Sequence, residues 1–125
     1  MNVPENLRFT KDHEWIKLEG NEALIGITDY AQSELGEIVF IELPAVGDSK
    51  EKETVFGTVE AVKAVSDLFM PVSGEILAIN NDLEAKPELI NEDPYEAGWM
   101  IRISVNNLSD LDSLLTAEAY KVFIQ

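Results

Sequence analysis

Two runs of β-branched and aromatic residues stand almost end to end in mid-chain, Val55 to Val62 and Val65 to Met70, with only Lys63 and Ala64 between them. Both have the length and composition of strands, and so short a connection joins antiparallel neighbours. The pattern therefore predicts a tight hairpin with Lys63 at or beside its tip. An amine placed there stands in water on strands that fix its position, with no partner obliged to hold it. That is the presentation an external enzyme needs in order to grip and acylate a lysine. Tip lysines also serve solubility alone, so periodicity by itself assigns Lys63 no role.

The rest of the chain reads as short strands and turns. Trp15 to Glu19 and Glu22 to Ile27 alternate around Gly20-Asn21, a two-residue hairpin turn, and the residues before Trp15 are expected to be extended. Asp29 is expected to cap a short helix over Tyr30 to Leu35, and Gly36 to end it in the left-handed conformation. Glu37 to Leu43 follows as a strand with Ile38 and Phe40 on one face and Val39, Ile41 and Leu43 on the other. Apolar residues on both faces predict a central strand. Pro44 ends it, Val46-Gly47-Asp48 turns the chain, and the charged stretch Lys50 to Glu53 is expected at the surface.

Beyond the lysine hairpin, Gly74-Glu75-Ile76-Leu77-Ala78-Ile79-Asn80 repeats the pattern of Gly36-Glu37-Ile38-Val39-Phe40-Ile41-Glu42. The repeat implies two similar halves, each giving strands to a flattened barrel or sandwich, with the lysine hairpin at the exchange between them. Asn80 to Asp82 and Lys86 to Glu88 mark loops around a short helical turn, Asp93 to Gly98 is a turn, and Trp99 to Val105 is a strand. Ser109 or Asp110 is expected to cap a last helix running to about Tyr120, with Leu111, Leu114, Leu115 and Ala119 on its apolar face. The expected fold is mostly β with short helices and a C-terminal helix, one domain over residues 1–125 without an internal linker.

Composition narrows the function. Nine basic residues against 24 acidic give a formal charge of −15, which repels nucleic acid and anionic membrane surfaces and disfavours self-association, so a monomer is expected. The same charge serves as a solvated surface, or steers the chain toward basic rims on partner enzymes. Cysteine is absent, which rules out a disulfide, a thiolate metal site and a cysteine nucleophile. The start, Met1 to Asn6, has neither a signal peptide's basic and apolar regions nor an Arg-rich transit character, and no run approaches the length of a membrane span. These features read as a cytoplasmic protein, or a mature matrix protein.

Reactive groups are few. His13 is the only histidine, and without a second His or a Cys it reads as a surface or packing residue rather than a metal ligand. No G-x-S-x-G elbow, P-loop, dinucleotide glycine motif or EF-hand spacing occurs. Trp15 and Trp99 read as core or rim aromatics. A Schiff-base lysine needs burial or a neighbouring cation, and the residues near Lys63, Glu60 and Asp67, are acidic.

A more specific pattern surrounds the lysine. Glu60 lies three residues before Lys63, Val46-Gly47-Asp48 lies upstream, and Pro71-Val72-Ser73-Gly74 lies downstream. This resembles the swinging-arm domains that carry lipoate or biotin on a hairpin lysine. Biotin carriers usually flank the lysine with methionine, whereas Val62 and Ala64 flank it here, and Lys-Ala is similar to the lipoyl pattern. Gly26 to Gln32 with Leu35 to Pro44, His13-Glu14-Trp15, Asn91, Pro94-Tyr95 and Gly98-Trp99 occur in order over nearly the whole chain. Together they resemble the H-protein family of the glycine cleavage system. One departure is Ala61, where H proteins commonly have serine; it bears on contacts with a ligase or partner and leaves the lysine frame intact.

The resemblance implies a lipoyl/biotinyl-type barrel-sandwich hybrid, lipoate joined to Lys63 through an amide, and Glu60 serving lipoylation recognition or arm alignment. It implies a carrier rather than an enzyme. Its partners would be glycine decarboxylase, a pyridoxal phosphate enzyme; aminomethyltransferase, which passes the one-carbon unit to tetrahydrofolate; and dihydrolipoamide dehydrogenase. A lipoate ligase or lipoyl/octanoyl transferase would attach the arm. Because an aminomethyl thiol adduct loses its group in water, a sheltering cleft beside the hairpin is expected. A lipoyl-relay protein donating lipoate to other lipoyl domains, a biotin carrier, an unmodified acidic interaction module and a small hydrolase stay open on the sequence.

Overall fold

The computed structural model describes all 125 residues. In chain order it forms β1 (Arg8–Phe9), β2 (Glu14–Glu19), β3 (Glu22–Ile27), α1 (Asp29–Leu35), β4 (Ile38–Glu42), β5 (Ser49–Lys50), β6 (Val55–Ala61) and β7 (Val65–Phe69). There follow β8 (Gly74–Ile79), α2 (Asp82–Ala85), α3 (Leu89–Glu92), β9 (Ile101–Ser104), a 3-10 helix (Leu108–Ser113) and α4 (Ala117–Phe123). A six-stranded sheet has the order β1-β2-β3-β9-β8-β5, and a three-stranded sheet the order β4-β6-β7; every pairing is antiparallel.

Alternation along β2 explains how the layers stack. Successive side chains point to opposite faces, and here both Trp15 and Ile16 are buried, so the large sheet is covered on both sides. On the inner side, Ile16, Ile25, Ile76, Ile101 and Ile103 pack with Ile38, Ile41, Phe56, Val59 and Leu68 of the small sheet. On the outer side, Phe9, Trp15, Ala117 and Tyr120 form a second cluster under the N-terminal residues and α4. Tyr120 stacks flat on Phe9 with ring centroids 4.6 Å apart, and Trp15 Nε1–H donates to the Pro94 carbonyl at 3.0 Å. The arrangement is the expected mostly-β sandwich with short helices and a C-terminal helix.

The repeated segments both become strands, β4 and β8, one in each sheet. Each carries a register irregularity at the same repeat position, between Ile38 and Phe40 in β4 and between Ile76 and Ala78 in β8, and each buries the isoleucine before it. The quasi-symmetry thus extends to a shared bulge.

Four expectations are corrected. β4 is not central: β6 is, and β4 forms an edge of the small sheet with Val39, Phe40 and Glu42 exposed. The bulge breaks strict alternation and leaves two neighbouring apolar residues outside. Thr28, not Asp29, caps α1, its hydroxyl accepting from Ala31 N–H at 3.1 Å; Gly36 ends the helix at φ +80° and ψ −156°, a positive φ but outside the left-handed helical region. The last helix is split. Asn107 caps the 3-10 turn, Leu115 pairs with Phe9 as an isolated β-bridge, and Thr116 caps a separate α4 that buries Ala117 and Tyr120 while Ala119 is exposed.

Candidate functional site

The lysine hairpin is built as its sequence predicts, with one adjustment at the tip. β6 and β7 pair as far as Glu60 with Val65, Ala61 N–H donates to the Ala64 carbonyl at 2.7 Å, and Val62 joins Lys63 in the loop. The loop is also held from outside: Val62 N–H donates to the Glu37 carbonyl, in the corner between α1 and β4, at 3.0 Å. Lys63 is exposed, and its amine makes no hydrogen bond or ion pair. Its aliphatic chain lies over Gly36, where a Cβ would stand 3.3 Å from Lys63 Cε and 3.9 Å from Nζ.

Glu60 is exposed and makes no ion pair with the lysine. It lies in a cross-strand row with Phe40 on β4 and Val65 on β7, residues that stand opposite one another and are 50% and 68% exposed. With Val62 at 72% exposure, this row gives the tip an apolar surround set among acidic residues. Phe40 thus stands half exposed on an edge strand, where its burial adds little to the fold.

A cleft of about 250 Å³ opens beside β7 and under α1. Asp12, Glu34 and Asp67 bring three carboxylates to it from three separate segments, and His13, Tyr30 and Leu68 form part of its wall. Its α1 side includes Leu35, the residue next to the Gly36 on which Lys63 rests. A second depression of about 300 Å³ lies at the far end of β7, against Glu14 and Met70, away from the hairpin tip. Of these two, the first cleft is the one nearer the lysine.

Two groups with shifted pKa values lie beside these hollows, His13 at the first cleft and Glu14 at the second depression. His13 sits at φ +69°, its Nδ1 is 2.9 Å from the Tyr120 hydroxyl, and its ring is 4.9 Å from that of Tyr30. Burial lowers its pKa from the ordinary value, against the opposing pull of Asp12 and Glu34, so the ring is neutral at neutral pH. Glu14 is 1% exposed; its carboxyl accepts from the Thr10 hydroxyl at 2.7 Å and from Phe69 N–H at 3.2 Å, tying β2 to β7. Burial pushes its pKa up to about 8, more than the two hydrogen bonds pull it down.

The family model described as Glycine cleavage H-protein matches residues 7–125. The chain belongs to the glycine cleavage H-protein family. A glycine cleavage system H protein from Bacteroides fragilis is 53% identical over 124 residues, covering 99% of this chain and 98% of the relative. One from Bacillus cereus is 54% identical over 120 residues, covering 96% and 94%. Among solved structures, the crystal structure of a glycine cleavage system H protein from Mycobacterium marinum superposes with a TM-score of 0.88 at 36% identity, covering 96% of this chain and 97% of that one. No helix of this H-protein-family chain is long and apolar enough to cross a membrane.

Sequence reasoning placed Lys63 at the hairpin tip, where its signal is local, and expected a cleft beside the hairpin without naming its walls. Asp12, Tyr30, Glu34 and Asp67 lie on three segments, and no short-range pattern joins them. The positive φ of His13 is one that histidine adopts several-fold more often than most residues, a signal too weak to single out one position in a sequence.

Proposed function

We propose that Lys63 is the lipoyl attachment point and that the protein works as the lipoyl carrier of the glycine cleavage system. The observation that carries this reading is the state of Lys63: an exposed, unpaired amine in a two-residue loop, its stem resting on Gly36 beside a carboxylate-lined cleft. Acylating such an amine breaks no ion pair and strips no buried charge of its partner, so the residues present fit the group. When bound, lipoate supplies a disulfide-dithiol pair that accepts an aminomethyl unit and is restored by oxidation.

The chain's own residues hold and shelter rather than react. The bond from Val62 to Glu37 fixes the root of the arm. Asp12, Glu34 and Asp67 attract a cationic amine on the arm, and neutral His13 adds no opposing charge. Tyr30 and Leu68 exclude water from that position, which protects a group prone to hydrolysis.

Catalysis lies with the partners: glycine decarboxylase, aminomethyltransferase and dihydrolipoamide dehydrogenase, with a lipoate ligase or lipoyl/octanoyl transferase attaching the arm. Tethering replaces repeated capture of a free intermediate with a local search, at an effective concentration on the order of mM. Glu60, held between Phe40 and Val65, acts as a recognition residue for proteins that grip the tip. In a system reconstituted from the three partner enzymes, the ligase-treated protein should support glycine-dependent NADH formation and Lys63→Arg should support none. Equal rates from the two would overturn the reading.

A further inference from the structure

Beyond Ile38 and Ala61, the last paired residues of β4 and β6, one further backbone bond reaches the hairpin tip, from Val62 N–H to the Glu37 carbonyl. The position of Glu37 therefore decides where the root of Lys63 stands. Glu37 lies in the corner joining α1 to β4, whose bend at Gly36 leaves the flanking backbone groups outside both the helix and the strand ladder. A single side chain grips that corner on both sides of Glu37. Asn91 Nδ2 donates to the Gly36 carbonyl at 2.9 Å, and Asn91 Oδ1 accepts from Ile38 N–H at 2.9 Å. The second Nδ2 bond runs to Gln32 Oε1 at 2.9 Å, and Gln32 Nε2 donates in turn to Asp29 at 2.7 Å.

From this arrangement we infer that Asn91 is a positioning residue for Lys63. The inference rests on Lys63 as the attachment point. One carboxamide fixes two things at once: the carbonyl that anchors the tip, and the Gly36 surface on which the lysine's aliphatic chain lies. The clamp is itself rooted in the core. Ile90, the neighbour of Asn91 on α3, is fully buried, and Gly98 packs so closely that a Cβ there would stand 3.0 Å from Ile90 Cα and 2.8 Å from the Asp93 carbonyl. Only a side chain that both donates and accepts satisfies the corner. Aspartate keeps the bond from Ile38 and loses both donations; alanine loses all three and leaves partly buried backbone groups unpaired.

The test compares Asn91→Ala and Asn91→Asp with the wild-type protein by native-state amide exchange and by lipoylation kinetics with a purified lipoate ligase and free lipoate. A loosened corner frees the Val62 amide, whereas the Ala61 amide bonds within the hairpin and reports on its general stability. In Asn91→Ala, Val62 should exchange about tenfold faster or more relative to Ala61, and the ligase KM for the protein should rise several-fold with kcat nearly unchanged. Asn91→Asp should show both effects to a smaller degree, and it carries the test if the alanine variant folds poorly. Equal acceleration at Val62 and Ala61, or none at either, would overturn the inference by reducing Asn91 to a general structural role. A wild-type Lys63 that stays bare with active ligase would sink the carrier reading instead, while the exchange comparison would still decide what Asn91 holds.

Discussion

Lys63 Cε lies so close above Gly36 that a Cβ on the glycine would stand 3.3 Å from it. Gly36 is also at φ +80° and ψ −156°, a region essentially confined to glycine. Gly36→Ala therefore meets two penalties, backbone strain and displacement of the lysine stem. Urea denaturation should show a loss of about 1–3 kcal/mol, and the ligase should modify the surviving folded protein more slowly. An unchanged lipoylation rate would mean that the seat under the lysine does not matter.

Glu14 gives the fold a specific pH dependence. Its folded pKa is raised to about 8 from 4.5, so between those values the folded state keeps a proton that the unfolded chain has released. The unfolded state then binds fewer protons, and this group's contribution to stability is complete below about pH 4.5, falls as pH rises toward 8, and levels off above it. Glu14→Gln removes the slope while keeping a carbonyl for Phe69 N–H and an amide for Thr10. Relative to the variant, the wild-type protein should lose stability on the order of a few kcal/mol across that window. Parallel stability curves for the two proteins would show that Glu14 ionises in the fold as it does in water.

The outer row at the hairpin predicts a separation of folding from partner use. Phe40 is half exposed on an edge strand, so Phe40→Thr should change stability by less than about 1 kcal/mol. If partners dock on that face, the same substitution should raise the KM of the aminomethyltransferase step for the carrier. The chain's charge of −15 adds a second readout, a kcat/KM that falls as salt screens the acidic surface. A KM untouched by the substitution would move the docking site elsewhere.

What was legible in the sequence was what neighbours in the chain decide. Two strand-like runs separated by two residues could pair only as a hairpin, and Gly20-Asn21 and Gly36 marked their turns by the backbone freedom that glycine supplies. Glu37 to Leu43 misled because apolar residues on both faces read as burial, when the bulge after Ile38 leaves Val39 and Phe40 in the open. Leu114 and Leu115 likewise read as a helical face, yet Leu115 is satisfied by pairing with the distant Phe9. Thr28 won the cap from Asp29 through a contact no local pattern records: its hydroxyl, besides capping α1, lies 2.7 Å from the hydroxyl of Tyr120. The cleft carboxylates and the Asn91 clamp are products of the same long-range closure.

The most direct measurement is peptide mass spectrometry of the protein after co-expression with an active lipoate ligase. The account predicts a lipoyl mass on the peptide that contains Lys63, and no such mass on any other lysine or in Lys63→Arg. A bare Lys63 in the presence of that ligase, or a lipoyl group on a different residue, would contradict it.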